Sequence, residues 1–234
     1  MESEDVLHRD ELGALRTQVI ERARGAFARM DEVAEFNTRK VLDAMRECRV
    51  SDAHFGVSAG YAYSDLGREK LDELYARVFG AERALVRTQF VSGTHALATV
   101  LFGILRPGDQ LVSITGTPYD TMQTVIGWVH KSSGSLKEFG IDYDELPMRD
   151  GRVDMDGIER IVTARTKVAL VQRSRGYSER EPLSIDDIRA VSARIKAANS
   201  NCIVFVDNCY GEFVDTVEPT EIPTVDIMAG SLIK

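Results

Sequence analysis

The first residues that could bind a ligand are Ser92-Gly93-Thr94, three small residues at the start of a predicted helix. The first N–H groups of a helix have no partner within it and carry a partial positive charge. Glycine lets an anion approach the backbone closely, and the two hydroxyls can add hydrogen bonds. The motif therefore predicts a phosphate-binding helix start. Simple capping of the helix by Ser92 or Thr94 is the alternative.

Asp207 is the second candidate, because it ends the apolar run CIVFVD at residues 202–207. A carboxylate at the end of a buried strand is costly unless another group pairs with it. A protonated pyridine nitrogen is one such partner, and it would keep a cofactor ring an effective electron sink. A bound metal ion, or capping of the turn at Asn208, would also explain the residue.

Lys234 and Tyr119 add two further kinds of chemistry. Lys234 ends the segment Ser231-Leu232-Ile233-Lys234, and a lysine can form an imine with an aldehyde and then act as a base. Tyr119 follows the apolar residues 110–114, where its ring could stack on a planar cofactor. The alternatives are a solvent-exposed lysine and a tyrosine that packs against a sheet.

An alternation of strands and helices must position these residues. The pattern predicts strands at 84–87, 110–114, 136–139, 167–172 and 202–207, with 143–146 ambiguous, and helices at 68–79, 93–105, 119–130, 154–163 and 184–198. Residues 10–48 predict a helical arm with a break near 36–38, used for core packing or for subunit contact. Such alternation is typical of an α/β fold with a mostly parallel sheet. Ligands bind at the carboxyl ends of such strands, where these candidates fall.

Composition narrows the function classes. The net charge of -8 disfavours nucleic-acid binding, and no apolar run approaches a membrane span of about 20 residues. Cys48, Cys202 and Cys209 form no C-x-x-C pair, so no disulfide framework and no metal site are indicated. With a polar first segment and no signal peptide pattern, we expect a cytoplasmic protein with reduced thiols.

In combination, the phosphate turn, the tyrosine, the strand-end aspartate and S-x-x-K resemble the fold-type I enzymes that use pyridoxal 5'-phosphate (PLP). The likeness is nearest to the methionine gamma-lyase-like family, also called aluminium-resistance proteins, which are related to the cystathionine lyases. The segments that carry it span most of residues 54–234: HFGVSAGYAYSDLGREKLDELYARVFGAERALVRTQFVSGTHAL, LRPGDQLVSITGTPYDT, VQRSRGYSER, VFVDNCYGEFV and DIMAGSLIK.

The resemblance implies a role for each candidate. Lys234 would form the Schiff base with PLP, Asp207 would pair with the pyridine nitrogen, and Tyr119 would stack on the ring. The phosphate would be held by three residues of the helix start and by one hydroxyl near the lysine, namely Ser92, Gly93, Thr94 and Ser231.

Two segments depart from the family pattern. The lyases reach the phosphate with a Tyr-x-Arg pair from a neighbouring subunit; Tyr63 matches the tyrosine, but Asp65 stands where the arginine should be, so Arg68 is the substitute candidate. Tyr61 is a candidate near the substrate. The usual asparagine for the phenolic oxygen of PLP is absent. Arg173 or Arg175 could bind that oxygen or a substrate carboxylate, with an exposed loop as the alternative.

The resemblance also implies domains, reaction and partners. Residues 1–50 would be the helical arm and residues 51–234 an incomplete PLP-binding large domain, which a smaller carboxy-terminal domain follows in the family. The implied reaction is β- or γ-elimination across a C–S bond of a sulfur amino acid. An aminotransferase, a decarboxylase, a non-catalytic PLP-fold module and a nucleotide-binding domain are the alternatives, the last disfavoured by the lack of G-x-G-x-x-G. A homodimer or homotetramer with shared sites is expected, with no nucleic acid or membrane partner.

Overall fold

A parallel five-stranded sheet forms the centre of the computed structural model, which describes residues 2–57, 65–129 and 132–232, with side chains from residue 11 onward. The strands lie in the order β2-β1-β3-β4-β5 and all pair in parallel. Their bounds are β1 (Gln110–Ser113), β2 (Asp142–Glu145), β3 (Thr166–Gln172), β4 (Ile203–Asp207) and β5 (Ile227–Ala229). The predicted α/β class with a mostly parallel sheet is confirmed.

Helices cover both faces of this sheet. Their bounds are α1 (Glu2–Glu47), α2 (Leu66–Val78), α3 (Gly93–Ile104), α4 (Asp120–Ile126), α5 (Met155–Ile161) and α6 (Ile185–Ala198), with 3-10 turns at Asp52–Phe55 and Pro219–Glu221. None of the helices in the described ranges is both long and apolar enough to cross a membrane.

Two hydrophobic cores, one per sheet face, follow from the alternation of side chains along the strands. On one face, Val112, Val171 and Val204 pack with residues of α5 and α6 such as Ile158 and Ile188. On the other face, the intervening strand residues pack with α3 and α4, the cluster containing Leu111, Leu170, Phe205, Leu97, Leu101, Met122 and Ile126. Burial on both faces explains why β3 and β4 are almost continuously apolar.

Among the described side chains of the first helix, those buried against the body lie in its last third. A separate cluster joins Ala44 of α1 and Cys48, the residue that follows α1, to Leu74 and Val78 of α2 and to Phe79. The predicted break near residues 36–38 is wrong, because α1 runs through them without interruption. No proline or glycine stands there, and the Thr38 hydroxyl donates to the Ala34 carbonyl at 2.7 Å, within the helix. Asn37 faces the body instead of ending the helix.

Two of the predicted strands are also wrong. Residues 84–87 form no strand, since the Val86 N–H donates to the Asp72 carboxylate (2.8 Å) rather than to a neighbouring strand. Residues 136–139 form a turn, in which the Leu136 N–H donates to the Val125 carbonyl (3.0 Å). The ambiguous segment near Tyr143 is instead the edge strand β2.

The observed helix ends agree better with the sequence predictions than the strands do. Asp154 caps α5, and Ser184 with Asp187 forms the predicted capping box at α6. Helix α4 is shorter than predicted, because Gly127 adopts a left-handed φ of 77° and ends it. A side chain at Gly127 would also collide with Ser135.

Candidate active site

The start of helix α3 faces the carboxyl edge of the sheet. Ser92 is the N-cap, and its Oγ accepts a hydrogen bond from the His95 N–H at 3.1 Å. Capping by Ser92 is thus observed, yet it occupies only the third helical N–H. The N–H groups of Gly93 and Thr94 precede it and have no acceptor within the helix. Those two groups are available to bind an anion.

Tyr119 lies beside this helix start. Its phenolic oxygen is 3.3 Å from Thr94 Oγ1, which in turn lies 2.9 Å from the hydroxyl of Thr121. Burial raises the pKa of Tyr119, and the negative charge of Asp207 raises it further, while the bond to Thr94 lowers it. The phenol is therefore neutral near pH 7, and Tyr119 is close enough to Asp207 to sense its charge.

Asp207 ends β4 as predicted and is 2% exposed. Its Oδ1 accepts a hydrogen bond from the Cys209 N–H at 3.0 Å, so the carboxylate also holds the turn that follows the strand. In the sheet, Asp207 pairs with Gln172 of β3 and with Ala229 of β5. The sheet thus fixes the position of this carboxylate from both sides.

Strand β5 leads from this edge to the lysine segment. The Ser231 N–H donates to Glu212 Oε1 at 2.5 Å, and a side chain at Gly230 would collide with the same carboxylate. Sequence analysis missed Glu212, although an acidic residue shortly after a strand-end aspartate was a usable signal. Lys234 itself, with Ile233, lies outside the described residues.

The structure separates the two candidate arginines after β3. Arg173 is 3% exposed, and its guanidinium binds Asn208 Oδ1 (2.9 Å), the Gly211 carbonyl (2.7 Å) and Asp215 Oδ2 (2.5 Å). These bonds direct Arg173 into the turn after β4. Arg175, by contrast, is exposed.

Arg175 lines a cleft of about 550 Å³ at the carboxyl ends of β1, β2 and β3. Tyr119 and Gln172 form the wall nearest Asp207, and Glu145 and Arg180 lie elsewhere in the lining. Sequence analysis missed Glu145, because the strand it ends was ambiguous. It also missed Tyr177, which lines the cleft and is 94% exposed.

Three candidates remain, two in the segment before α2 and one on its first turn. Tyr61 and Tyr63 lie outside the described residues. Arg68 is half-buried on the first turn of α2, where its N–H donates to the capping carboxylate of Asp65 at 3.0 Å. Helix α2 packs against α1 and the turn at Asp52–Phe55.

Each chemical part of PLP has a suitable partner among the groups at the carboxyl edge of the sheet. The N–H groups of Gly93 and Thr94 suit a phosphate, the Tyr119 ring suits an aromatic ring, and the buried Asp207 suits a pyridinium. For metal binding, the described ranges contain no group of three His, Cys, Asp or Glu side chains suitably arranged. The residues present therefore fit PLP.

Comparisons with known proteins agree with this chemistry. The Bacillus subtilis protein YnbB, which is uncharacterized, is 47% identical over 212 residues, or 90% of this chain and 50% of YnbB. A Listeria monocytogenes structure, named as a candidate cystathionine beta-lyase involved in aluminum resistance, is 50% identical with a TM-score of 0.91, covering 94% of this chain and 56% of that one. The structure of the carbon-sulfur lyase involved in aluminum resistance from Clostridium novyi NT is 44% identical with a TM-score of 0.91. The match covers 96% of this chain and 54% of that one.

A more distant likeness concerns the fold alone. The PLP-dependent protein YhfS from Escherichia coli is 19% identical with a TM-score of 0.60, over 82% of this chain and 48% of YhfS. The fold is thus that of fold-type I PLP enzymes. The chain spans about half the length of the relatives it matches. A family profile described as methionine gamma-lyase matches residues 12–234, and the chain belongs to this family.

Proposed function

We propose that this chain is the cofactor-binding part of a PLP-dependent carbon–sulfur lyase. Its reaction would be β- or γ-elimination of a thiol from a sulfur amino acid, after which water would hydrolyse the unsaturated product to a keto acid and ammonia. The observation that carries the proposal is the meeting of three groups at one sheet edge: the start of α3, the Tyr119 ring and the buried carboxylate of Asp207. The family membership and the names of its relatives support the same chemistry.

When bound, PLP supplies an electron sink for the electrons of a broken Cα–H bond. Gly93 and Thr94 would bind its phosphate through backbone N–H groups, and Ser92 and Ser231 would add their hydroxyls. Asp207 would hold a proton on the ring nitrogen, and Tyr119 would stack on the ring. Lys234 would hold the cofactor through its Nζ and would accept the Cα proton of the substrate.

The positions of Asp207 and of the lysine segment are set by neighbouring groups. Arg173 binds Asn208, the residue after Asp207, and thereby fixes the turn that Asp207 begins. Glu212 accepts a hydrogen bond from the Ser231 N–H and so anchors the segment that ends at Lys234. Both residues act on the site through the backbone.

We further propose that residues 1–50 act as an arm and residues 51–234 as the large domain, in a homodimer or a pair of dimers with shared sites. The support for the arm is its exposed apolar face. Leu12, Leu15, Val19, Phe27 and Met30 are each at least half exposed, at three- or four-residue spacing for the most part. Such a face is a common contact surface between subunits.

An absorbance spectrum of the full-length protein with PLP tests the proposed function. We expect a band near roughly 420 nm that borohydride removes, with the cofactor mass on the Lys234 peptide. Lys234→Ala should abolish the band, whereas Lys167→Ala, at an exposed lysine on β3, should keep it. A band that survives Lys234→Ala would refute the assignment.

Product analysis with sulfur amino acids then tests the reaction. Release of thiol, keto acid and ammonia together is expected. Loss of CO₂, or transfer of the amino group to a keto acid without thiol release, would replace the lyase by a decarboxylase or an aminotransferase.

A further inference from the structure

The turn at residues 208–215, which follows β4, connects several parts of the proposed cofactor site. Asp207 precedes it, and Asp207 Oδ1 accepts a hydrogen bond from the Cys209 N–H at 3.0 Å. Glu212 lies in the middle of the turn and accepts from the Ser231 N–H at 2.5 Å. The shape of this one turn therefore affects both the carboxylate proposed to pair with the ring nitrogen and the segment that leads to the lysine.

This turn contains a residue in a disfavoured backbone conformation. Phe213 adopts a left-handed φ of 60°, a region that residues with a Cβ rarely occupy. Such a conformation persists only where the surrounding structure holds it. The Phe213 N–H donates to Glu218 Oε1 at 2.9 Å, and its ring packs on Phe79 with the centroids 5.2 Å apart. The shape of the turn thus depends on contacts from outside it.

Buried polar side chains hold the inner side of the turn. Asn208 is 0% exposed; its Oδ1 accepts from Arg173 at 2.9 Å, and its Nδ2 donates to Glu218 Oε2 at 3.2 Å. A guanidinium only donates and a carboxylate ion only accepts, so the Asn208 amide fits between them in one orientation. Both oxygens of Glu218 are used, one by Asn208 and the other by the Phe213 N–H.

The outer side of the turn is held by α1. Asn37 is 5% exposed, and its Nδ2 donates to the carbonyls of Phe213 (3.1 Å) and Asp215 (3.0 Å). An amide nitrogen carries two protons, and both are used here. The carboxylate of Asp215 accepts from Arg173 at 2.5 Å, so the same stretch of backbone is also held from within. Helix α1 is therefore bound directly to the turn that follows Asp207.

We propose that Asn37 is a positioning residue for the cofactor: docking of α1 on the turn sets the direction of the Asp207 carboxylate. The path runs from Asn37 to the Phe213 carbonyl, along the turn to Cys209, and from the Cys209 N–H to Asp207. The inference rests on the proposed function for the pairing of Asp207 with the ring nitrogen. Without the Asn37 contacts, the backbone at Phe213 would relax and Asp207 would meet that nitrogen less well.

The test compares PLP with its 1-deaza analogue, in which carbon replaces the ring nitrogen. Calorimetry measures the binding of each to the full-length apoprotein, so that the readout does not depend on turnover. The unmodified protein should bind PLP more tightly than the analogue, because only PLP can pair with Asp207. Asn37→Ala should weaken PLP binding by about 3- to 10-fold, part of the value of a charged hydrogen bond, and leave the analogue within about 2-fold.

Thr38→Ala is the matched control and should change the binding of neither compound. Thr38 is the next residue on α1, is exposed, and donates to the Ala34 carbonyl within the helix. Alanine favours a helix more than asparagine or threonine does, so neither substitution weakens α1 itself. Glu218→Gln is a second variant, on the inner side of the turn. It leaves one acceptor for two donors and should produce the same selective loss of PLP binding.

Two results would overturn the inference. Equal losses for PLP and the analogue in Asn37→Ala would show that Asn37 supports only the fold, and unchanged PLP binding would show that it does not act on the site. If Asn37→Ala does not fold, Glu218→Gln decides by the same criterion. Equal affinity of the unmodified protein for both compounds would also overturn it, because Asp207 would then not pair with the nitrogen. Failure of the proposed function is distinct, since the unmodified protein would bind neither compound.

Discussion

The phenolic oxygen of Tyr119 lies 3.3 Å from Oγ1 of Thr94, which joins the loop after β1 to the first turn of α3. The two residues are 25 positions apart in the sequence. One supplies a backbone N–H at the proposed phosphate site, and the other supplies the ring proposed to stack on the cofactor. Their contact fixes the distance between the phosphate and ring positions.

Substitutions at Tyr119 should separate the ring from the hydroxyl. Tyr119→Ala should weaken PLP binding by about 2- to 10-fold, the value of one aromatic contact. Tyr119→Phe keeps the ring and should stay within about 2-fold of the original. Absorbance titration of the full-length apoprotein with PLP measures both. Equal losses in the two variants would show that the hydroxyl, and not the ring, holds the cofactor.

Arg173 and Arg175 should differ sharply in their effect on stability. Arg173→Ala leaves the buried Asn208 amide oxygen and the Gly211 carbonyl without their donor, and should lower the free energy of unfolding by about 1–3 kcal/mol. Arg175→Ala removes an exposed side chain and should change it by less than about 0.5 kcal/mol. Urea unfolding of the full-length variants measures both. Similar values for the pair would contradict the assignment of Arg173 to a structural role.

Glu218 should make stability fall as the pH rises. Its side chain is 0% exposed, and burial raises the pKa of its carboxyl group. The hydrogen bond from the Phe213 N–H and the charges of Lys40 and Arg173 lower the pKa, but burial has the larger effect. Between the unfolded carboxyl value of about 4.3 and the raised folded value, the folded state binds more protons than the unfolded state. Unfolding free energy therefore decreases with pH across that window.

Urea unfolding at several pH values tests this slope in the original protein and in Glu218→Gln. The glutamine does not titrate, so the variant should lack this component of the slope, whatever constant offset the substitution causes. Glu221→Gln, at an exposed glutamate three residues further on, serves as the comparison. Identical slopes in the original protein and Glu218→Gln would rule out Glu218 as the source.

The exposed face of α1 should hold subunits together. Val19 is 54% exposed on the apolar face. Val19→Glu should raise the dissociation constant of the oligomer at least about 10-fold, because it places a charge in the contact. Thr17→Glu adds the same charge on the opposite side of the helix and should leave it unchanged. Sedimentation velocity over a range of concentrations measures both. An oligomer insensitive to Val19→Glu would place the subunit contact elsewhere.

Sequence patterns predicted the elements that are buried on both faces, such as β3 and β4, and the helices with side-chain caps, such as α5 and α6. Strands were wrongly predicted at 84–87 and 136–139, because short apolar runs also occur in loops that pack on a core. The strand-end position of Asp207 followed from the chain order. That Arg173 is buried and Arg175 is exposed could not be predicted, because the direction of each side chain depends on how the backbone of the loop turns.

Asn37 has a consequence for how the chain folds. Its amide donates to the carbonyls of Phe213 (3.1 Å) and Asp215 (3.0 Å), which are 176 and 178 positions away. Closing such long loops is slow, because chain entropy opposes it until the contacts form. On the ribosome, the first helix is therefore made early and can pack on α2, but its Asn37 contacts have to wait for β4 and the turn that follows it. During that interval its apolar face is open to chaperones, or to the arm of another nascent chain.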